Sequence, residues 1–581
     1  MVKALKKQKV AAAIDFGTHG TGYAWTLIDD ERRQQKRQIH PRMHWPSQPA
    51  PYPKNLTALL LSSDGDLLAW GYEARRRYNA RSASSDIRYV KSFKMSLAPL
   101  TRGTGEKPVE LPAELIASDE ATGLITLYLQ KIYKEAVDEI KRSGFTEDEI
   151  RWCLTVPAIW GDYEKQLMRR AAVDAGLPED PKRLLLAYEP EVAAHYARVS
   201  GARTARMTGG RATLMSPGSR FLVADCGGGT VDITAYRAVA SNKLEEIGRE
   251  CGGKFGSEYV NQAFVESVLV PRFGSYEAFE KIGAQQPSAL LALIEKWEEA
   301  KLHFSAEQEE DLYIPIPSAI DRCLDDDARD SLAKAQNGID DEIVVKPEEA
   351  RLVFEKVVPG ILALLDKQLA EMQSQRRNTS GKELVVLVGG FSNSPYLRHR
   401  IQQHLEGRAE LIVPPDPQAA VLFGAAHYAC DPQIRSRRAR MTYGCAVSDR
   451  FMPGIDPEES RIKGPDYELC NRRFSSFVKV GQPVTLGEWV TRPHFPVWPN
   501  QDTLKFDIYT SPRSNVRYVT ESDCRKIGSL AVDLTPVKNL PRSSQSVLVS
   551  MQFGETEIQV TAALKETGES VSTTLLFEPL A

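Results

Sequence analysis

The chain has 581 residues, of which 42% are hydrophobic and 26% charged, and its formal net charge is −3. A chain of this length exceeds what one hydrophobic core organises, so more than one domain is expected. The near-neutral charge gives no general attraction to nucleic acid or to a membrane surface, and no apolar run approaches the ~18 residues that cross a bilayer. We therefore predict a globular protein with no nucleic-acid partner and no membrane span.

The cysteines and the N-terminus indicate the compartment. Eight cysteines are scattered without a CxxC pair, which argues against a zinc site and against a disulfide framework. The first ten residues are basic and the apolar run that follows ends at Asp15, so no secretory signal is predicted. We predict a cytoplasmic protein and leave access to the nucleus open.

Two segments far apart in the chain share one plan: an apolar strand, an Asp, a Gly-containing turn with Thr, and a second strand. They cover residues 11–27 and 221–236. Each is predicted to form a β-hairpin whose tight turn needs glycine. The recurrence indicates a duplicated domain, and two unrelated hairpins are the alternative.

Strands and helices alternate around these hairpins. A strand is predicted over 152–160, a helix over 163–175, and a strand followed by a helix over 184–197. Further helices are predicted over 288–304, with Ser288 as N-cap, and over 347–372, before a strand, a turn and a helix over 383–401. The alternation predicts an α/β architecture through about residue 430.

The pattern changes in the last quarter of the chain, where short strands bounded by Gly, Pro, Asn or Ser predominate: FSSFVKV, LKFDIYT, SVLVSMQF, TEIQVTAAL and STTLLFE. They predict a small β-sandwich-like domain without a helical lid over 441–581. We place an α/β domain over 1–432, with one lobe at about 1–210 and 400–432 and the other at about 220–400. A basic cluster lies between the α/β domain and the β-rich domain and contains Arg435, Arg437, Arg438 and Arg440. It predicts a solvated linker over 433–440, with a localisation signal as the alternative.

The turn of the second hairpin carries candidate chemistry. It consists of Gly227, Gly228, Gly229 and Thr230. Such a loop can present successive backbone N–H groups to phosphate oxygens. Asp225 and Asp232 flank it, and carboxylates beside a phosphate loop need a cation between them. We interpret this pair, with Asp15 from the first hairpin, as groups that orient Mg²⁺ mainly through its waters.

A second glycine turn follows the strand at 384–388. Gly389 and Gly390 would let a planar base or a ribose approach the backbone closely. An ordinary strand–helix turn is the alternative.

Five segments resemble, in the same order, the heat shock protein 70 (DnaK-type) chaperones. They are IDFGT from Ile14, TVPAIW from Thr155, EPEVAA from Glu189, ADCGGGTVDIT from Ala224 and LVGGFSNSP from Leu387. The resemblance implies a duplicated, actin-like (ribonuclease H-like) two-lobed ATPase clamp that holds ATP or ADP with Mg²⁺. The segments SFKMSL and RSRRARMTYG, with the lidless β domain, are similar to the divergent family A member 12 branch.

The resemblance also implies roles for residues. Asp15, Asp225 and Asp232 would order Mg²⁺ waters, Glu189 would place the attacking water, and Pro157 would lie at a nucleotide-sensing switch. The phosphates would contact both glycine turns, the first through Gly17, Thr18 and His19. The adenosine would contact Glu298, Lys301, Ser305, Gly389, Gly390 and Ser392.

Two of these assignments have alternatives. Glu298 and Lys301 also fit a surface salt bridge at helical spacing. For the catalytic lysine, which would stabilise charge on the transferring phosphoryl group, Lys94 is the candidate and Lys91 the second choice.

Two departures from the family pattern bear on function. His19 replaces a second threonine of the first turn, so a phosphate-contacting hydroxyl is missing, and the imidazole would either donate to phosphate or obstruct it. The acidic-hydrophobic interdomain linker is absent, which leaves the action of J-domain partners open. The leading hypothesis is a slow ATPase that works as a chaperone-like switch on a protein client. The alternatives are a nucleotide-sensing scaffold with little turnover and a small-molecule kinase, for which no segment supplies an evident acceptor site.

Overall fold

The computed structural model describes residues 8–28, 37–80, 87–97, 118–208, 214, 216–240, 243–374, 383–432, 434–498, 501–553 and 558–575. The predictions made for the first seven residues, for the start of the linker at 433 and for the end of the last strand beyond 575 lie outside these ranges. The chain forms two compact units. Unit 1 comprises Met1–Trp160, Leu167–Ala235 and Glu250–Pro432, and unit 2 comprises Gly161–Gln166, Tyr236–Arg249 and Gln433–Ala581.

The strands follow in chain order: β1 Val10–Phe16, β2 Gly20–Leu27, β3 His40–Pro41, β4 Asn55–Leu56, β5 Ala58–Ser62, β6 Leu67–Trp70, β7 Ile87–Lys91, β8 Ile150–Val156, β9 Leu184–Tyr188, β10 Arg220–Cys226, β11 Val231–Ala238, β12 Leu244–Glu246, β13 Cys251–Gly253, β14 Leu312–Pro315, β15 Glu342–Val345, β16 Glu383–Val388, β17 Ala409–Ile412, β18 Ile434–Arg438, β19 Thr442–Arg450, β20 Arg461–Lys463, β21 Glu468–Val478, β22 Pro483–Thr485, β23 Trp489–His494, β24 Thr503–Ser511, β25 Arg525–Asp533, β26 Val547–Gln552, β27 Gln559–Leu564 and β28 Ser570–Thr574.

The α-helices are α1 Gly71–Asn79, α2 Ser118–Arg142, α3 Asp162–Asp174, α4 Glu189–Thr208, α5 Ser257–Phe264, α6 Val270–Arg272, α7 Tyr276–Gln285, α8 Pro287–His303, α9 Ser318–Asp321, α10 Asp326–Ala335, α11 Pro347–Glu355, α12 Val358–Ser374, α13 Pro395–Leu405 and α14 Ala420–Cys430. A π-helical segment, Val265–Leu269, joins α5 to α6. Short 3₁₀ helices include Phe93–Leu97 and Phe391–Asn393.

Unit 1 contains two sheets that repeat one plan, and this confirms the predicted α/β class. In the first sheet β2, β1, β8 and β9 are neighbours in that order, and β8 is parallel both to β1 and to β9. In the second the order is β11, β10, β16 and β17, and β16 is parallel both to β10 and to β17. Each predicted hairpin therefore lies beside two parallel strands. The two hairpin turns project from corresponding ends of the two sheets.

Burial explains why these strands are almost entirely apolar. Every residue of β1 and of β16 is buried, and α14 packs against β1 and β8. Strands covered on both faces consist of continuous hydrophobic runs rather than alternating ones. Asp15 near the end of β1 and Asp225 near the end of β10 are exceptions to this apolar pattern, because core packing does not require a carboxylate at either position.

Two predicted helix features are wrong. The single helix over 347–372 is two helices, α11 and α12, because Pro359 lacks an N–H group and its ring clashes with the carbonyl of Glu355, the last residue of α11. Ser288 is not an N-cap, since α8 begins one residue earlier, at Pro287. Proline is favoured at the first helical position, where its missing N–H group is not needed.

Unit 2 is rich in β-structure. One sheet has the order β20, β21, β19, β24, β25 and another the order β23, β26, β27, β28. Residues of both sheets, including Ile508 and Val549, belong to one buried hydrophobic cluster. The strand segments predicted between 474 and 575 are thus present as strands in the described ranges.

The basic segment after residue 433 differs from the predicted solvated linker. Residues Ile434–Arg438 form strand β18, which pairs with β12 in parallel and with β22 in antiparallel orientation. Arg438 donates to the carbonyl of Glu246, and Arg435 forms an ion pair with Glu245. The carboxylate of Glu245 therefore offsets the charge of Arg435, the backbone of Glu246 accepts from Arg438, and Arg437 is buried, so these arginines are not all exposed to solvent as predicted. None of the helices within the described ranges combines the length and the apolarity needed to cross a bilayer.

Candidate functional site

Asp15 is held at the end of β1 by contacts from two other segments. The residue is 2% exposed and lies opposite Gly22 in the register of β1 and β2. Thr155 of β8 donates its hydroxyl to Oδ1 of Asp15 at 3.0 Å. The Nζ of Lys54 lies 2.6 Å from Oδ2. The carboxylate is therefore fixed in position and already faces one cation.

Lys94 and Glu189 form a second buried pair. Lys94 lies in the 3₁₀ helix Phe93–Leu97, and its Nζ donates to Oε1 of Glu189 at 2.6 Å and to the carbonyl of Phe16 at 2.6 Å. Glu189 is the first residue of α4, directly after β9. Burial and the charges of Asp15 and Asp232 raise the pKa of Glu189, although Lys94 opposes the rise. The structure thus brings together two residues that the sequence assigned to catalysis.

Asp225 and Asp232 lie on either side of the second hairpin turn. The backbone N–H group of Ile159 donates to Oδ1 of Asp232 at 2.9 Å. Burial and the charges of Glu189, Asp232 and Asp15 raise the pKa of Asp225 well above its usual range, and Lys54 only partly opposes this. Within the described residues no hydrogen-bond donor reaches the Asp225 carboxylate. A buried carboxylate without a donor is costly unless a cation or a ligand pairs with it.

The charges of the residues around Asp225 indicate what kind of ligand can bind there. Four buried carboxylates, those of Asp15, Glu189, Asp225 and Asp232, interact with one another. Lys54 and Lys94 offset two of them, so two negative charges remain when all groups are ionised. Mg²⁺ prefers oxygen ligands and retains several waters. The donor set therefore fits one Mg²⁺ ion, with Asp225 as the carboxylate most in need of it.

The two glycine turns face each other. A methyl group placed on Gly229 would lie 2.8 Å from Oγ1 of Thr18, and one placed on Gly228 would lie 3.1 Å from Cβ of His19. The carbonyls of Gly227 and Gly228 accept hydrogen bonds from the first residues of α5. Within the described part of the chain, the N–H groups of Gly228 and Gly229 donate to no backbone acceptor. These amides remain available to an anion.

His19 lies at the edge of the space between the two glycine turns, and its side chain is about half exposed (52%). Its Nδ1 lies 3.3 Å from Oε1 of Glu258, the second residue of α5. Burial acts to lower the pKa of His19, but the hydrogen bond to Glu258 and the charges of Glu298 and Glu258 outweigh it and raise the pKa. Lys91 lies 3.9 Å from Glu258, so the second-choice lysine pairs with this acid and not with Glu189.

The residues expected around adenosine fall into two groups. In the first, Lys301 is buried on α8 and donates to the carbonyl of Ser257 at 2.9 Å and to Oδ1 of Asn261 at 2.5 Å. The amide of Asn261 in turn donates to Oε1 of Glu298 at 2.5 Å. The alternative of a surface salt bridge between Glu298 and Lys301 is therefore wrong, because Asn261 lies between them.

The second group is the turn after β16. Gly389 has φ of +89°, and a methyl group there would lie 2.3 Å from the carbonyl oxygen of Cys226 and 2.4 Å from Oδ1 of Asp225. Ser392 is buried and donates its hydroxyl to the carbonyl of Gly389 at 2.6 Å. Gly390 is exposed and nothing lies within 4 Å of its added methyl position. This turn therefore packs directly on the carboxylate of Asp225.

An aromatic cluster connects the two groups. Phe304, directly after α8, packs on Phe354 at 5.6 Å between ring centroids, and Phe354 packs on Phe391 at 6.4 Å. Ser305 follows Phe304 and is partly buried. The end of α8 and the Gly389 turn therefore belong to one packed region of unit 1.

Several site residues were missed from the sequence: Lys54, Thr57, Glu258 and Asn261. Thr57 donates to the carbonyl of Gly17 at 2.7 Å and so holds the first turn. None of the four belongs to a glycine turn or to a segment that resembles the family. A lysine directly after a proline and a threonine before a strand carry no local signal of a phosphate site.

Comparison with known proteins identifies the family of the chain. The repeated sheets, the facing turns and the buried carboxylates are consistent with the actin-like ATPase fold of heat shock protein 70 chaperones. The chain is 30% identical to Heat shock 70 kDa protein 12B of Homo sapiens over 98% of its own length and 91% of that protein. It is 28% identical to Heat shock 70 kDa protein 12A of Homo sapiens, over 97% of the chain and 90% of that protein.

Two further matches cover less of the chain. It is 25% identical to Chaperone protein DnaK of Thermoplasma volcanium over 51% of the chain and 41% of that protein. A family model described as Domain of unknown function (DUF8340) matches residues 216–413. The chain therefore belongs to the heat shock protein 70 family, with members 12A and 12B as relatives over nearly its whole length. Membership of this family supports nucleotide binding.

Proposed function

We propose that the chain is a nucleotide-dependent protein switch: it binds ATP or ADP with Mg²⁺, hydrolyses ATP slowly and acts on a protein client. The observation that carries this proposal is the meeting of two glycine turns above four buried carboxylates. Thr18 and Gly229 belong to different hairpins and yet are in contact. The free amides of the second turn suit phosphate oxygens, and the carboxylates suit the cation that accompanies them.

The residues present define a route for hydrolysis. Water attacks the γ-phosphorus in line, the bond from that phosphorus to the oxygen bridging it to the β-phosphorus breaks, and ADP and phosphate are formed. Glu189 would orient the water and accept its proton, a role suited by its raised pKa. Lys94 would offset charge on the transferring group. Asp15, Asp225 and Asp232 would hold Mg²⁺ through its waters, and the ion would supply positive charge to offset that of the phosphates.

A specific contact favours the second candidate, a nucleotide-sensing scaffold with little turnover. The Nζ of Lys94 is engaged by both Glu189 and the carbonyl of Phe16. Each of the two catalytic groups then neutralises the other, and His19 stands where a phosphate-binding hydroxyl would be expected. Single-turnover hydrolysis separates the two candidates, because a scaffold would bind ATP without converting it to ADP.

Calorimetric titration of the full chain with ATP and Mg²⁺ tests the proposal. We expect saturable binding that is weakened at least about tenfold by Asp225→Asn, since this carboxylate is the one without a hydrogen-bond donor. Asp174→Asn is the matched control, because Asp174 lies at the end of α3 with 55% of its side chain exposed. Absence of binding by the unmodified chain, or equal weakening by both substitutions, would refute the proposed nucleotide site.

A further inference from the structure

His19 lies where three segments that are distant in the chain come together. It belongs to the turn between β1 and β2, and the nucleotide function proposed above does not require an imidazole there. Glu258 is the second residue of α5, and Glu298 lies on α8. One ligand atom of each of these three side chains lies within 4.8 Å of the other two. The fold therefore brings one imidazole and two carboxylates to one point.

Asn261 of α5 holds the two carboxylates in place. Its Nδ2 donates to Oε2 of Glu258 at 3.2 Å and to Oε1 of Glu298 at 2.5 Å. Its Oδ1 accepts from Lys301 at 2.5 Å, so both ends of the amide are fixed. The remaining oxygen of Glu258, Oε1, lies 3.3 Å from Nδ1 of His19. Hydrogen bonds of this kind orient carboxylates that bind metal ions and are part of such sites.

The three side chains are accessible, and the lysines near them leave room for an ion. His19 has 52% and Glu258 14% of the side chain exposed, so an ion can reach them from solvent. The Nζ of Lys91 lies 3.9 Å from Oε2 of Glu258, and 27% of the Lys91 side chain is exposed. An ammonium group at this distance is a weak partner and can turn toward solvent. Lys301 is engaged by the carbonyl of Ser257 at 2.9 Å.

We propose that His19, Glu258 and Glu298 form a second metal site, which takes a divalent transition ion such as Zn²⁺ and ties the first glycine turn to α5 and α8. Zn²⁺ accepts imidazole nitrogen and carboxylate oxygen, and three protein ligands with a water complete its coordination. Mg²⁺ prefers oxygen ligands alone, so the imidazole distinguishes this site from the carboxylates around Asp225. The site needs no cysteine and no bound nucleotide.

The experiment is calorimetric titration of the full chain with Zn²⁺, without nucleotide and with excess Mg²⁺ to occupy sites made of oxygen ligands alone. We expect the tightest site to take up about one Zn²⁺ per chain. His19→Gln and Glu298→Gln should each weaken this site at least about tenfold, because each removes a ligand. Lys91→Met should strengthen it several-fold, since it removes a positive charge that competes for Glu258.

His399→Gln, at an exposed position of α13, is the matched control and should leave Zn²⁺ affinity unchanged. Zn²⁺ should also raise the Tm of the unmodified chain, and it should raise that of His19→Gln less. Circular dichroism checks folding, and the half-exposed His19 gives the deciding variant if Glu298→Gln is unfolded.

The absorption spectrum of the chain with Co²⁺ in place of Zn²⁺ identifies the ligand atoms. We expect bands of an ion held by nitrogen and oxygen, and these should be lost in His19→Gln. Equal Zn²⁺ affinity of the unmodified chain and of His19→Gln, or charge-transfer bands from thiolate at the tightest site, would overturn the proposal. Since no nucleotide is present, failure of the proposed nucleotide binding would leave this result unaffected.

Discussion

The ammonium group of Lys94 and the carboxylate of Glu189 form a buried ion pair at 2.6 Å, which joins a short 3₁₀ helix to the first residue of α4. The same Nζ also donates to the carbonyl of Phe16 at the end of β1. The ring of Trp160 lies 5.5 Å from this Nζ. Three separate segments are thus tied to one lysine in the position where hydrolysis would take place.

This pair predicts a combined effect on stability and turnover. Lys94→Met leaves Glu189 buried and without its partner, which should lower the free energy of unfolding by about 3 kcal/mol. Single-turnover ATP hydrolysis should fall about 100-fold or more. Adding Glu189→Gln should restore much of the stability in urea denaturation but not the hydrolysis. Lys9→Met, which breaks a surface pair with Glu149, should change neither quantity much. A double variant as unstable as Lys94→Met would contradict the role of the pair.

Gly389 and Gly390 offer a matched comparison. Gly389→Ala should lower the free energy of unfolding by about 2 kcal/mol or more, because a side chain at φ of +89° is strained and would collide with the carbonyl of Cys226. Gly390→Ala should leave stability unchanged within about 0.5 kcal/mol, since its methyl group meets open space. If adenosine covers this turn, Gly390→Ala should still weaken ATP binding several-fold. Unchanged affinity would place the base elsewhere.

His19 predicts a pH dependence of nucleotide affinity. Burial and the charge of Lys91 act to lower the pKa of His19, but Glu258 and Glu298 outweigh them and raise it, so the imidazole keeps its proton to a higher pH than an ordinary histidine. Protonated His19 beside the glycine turns should attract phosphate, so ADP should bind more tightly at about pH 6 than at about pH 8. His19→Gln should reduce this difference, whereas His399→Gln, at an exposed position of α13, should not. An unchanged difference in His19→Gln would assign the effect to another group.

A histidine of unit 2 predicts acid sensitivity of folding. Burial and the charge of Arg492 lower the pKa of His494 from 6.5 to about 4. As pH falls through 6.5 the unfolded chain takes up a proton that the folded chain refuses until about pH 4, so stability is lost over this interval. Between neutral pH and about pH 5 this residue should account for about 2 kcal/mol of lost unfolding free energy.

The measurement is urea denaturation at the two pH values. His494→Phe keeps an aromatic ring beside Phe506, whose centroid lies 5.2 Å away, and it should lose less stability on acidification than the unmodified chain. His399→Phe serves as the control for loss of an exposed histidine. Equal acid sensitivity of the unmodified chain and of His494→Phe would show that other groups govern it.

Local sequence accounts for a large part of the fold. The strand of Asp15 and the strand of Asp225 were both predicted as parts of hairpins, because a turn of a few residues between apolar runs leaves the chain little alternative. The break at Pro359 was equally local and was overlooked, although the ring of proline determines it. The prediction of a solvated linker around Arg437 was wrong for the opposite reason. Its arginines contact Glu245 and Glu246, which are distant in the chain.

The sequence by itself therefore determined the two glycine turns, their flanking carboxylates and the family, because these depend on neighbouring residues and on motifs in order. Only the tertiary structure decided which charges meet: Lys54 with Asp15, Lys94 with Glu189, and His19 with Glu258. Each of these pairs joins segments far apart in the chain. The register of β1 and β2 and the packing of α4 and α5 create these pairs. The sequence around a charged residue does not indicate a distant partner that only folding brings within 4 Å.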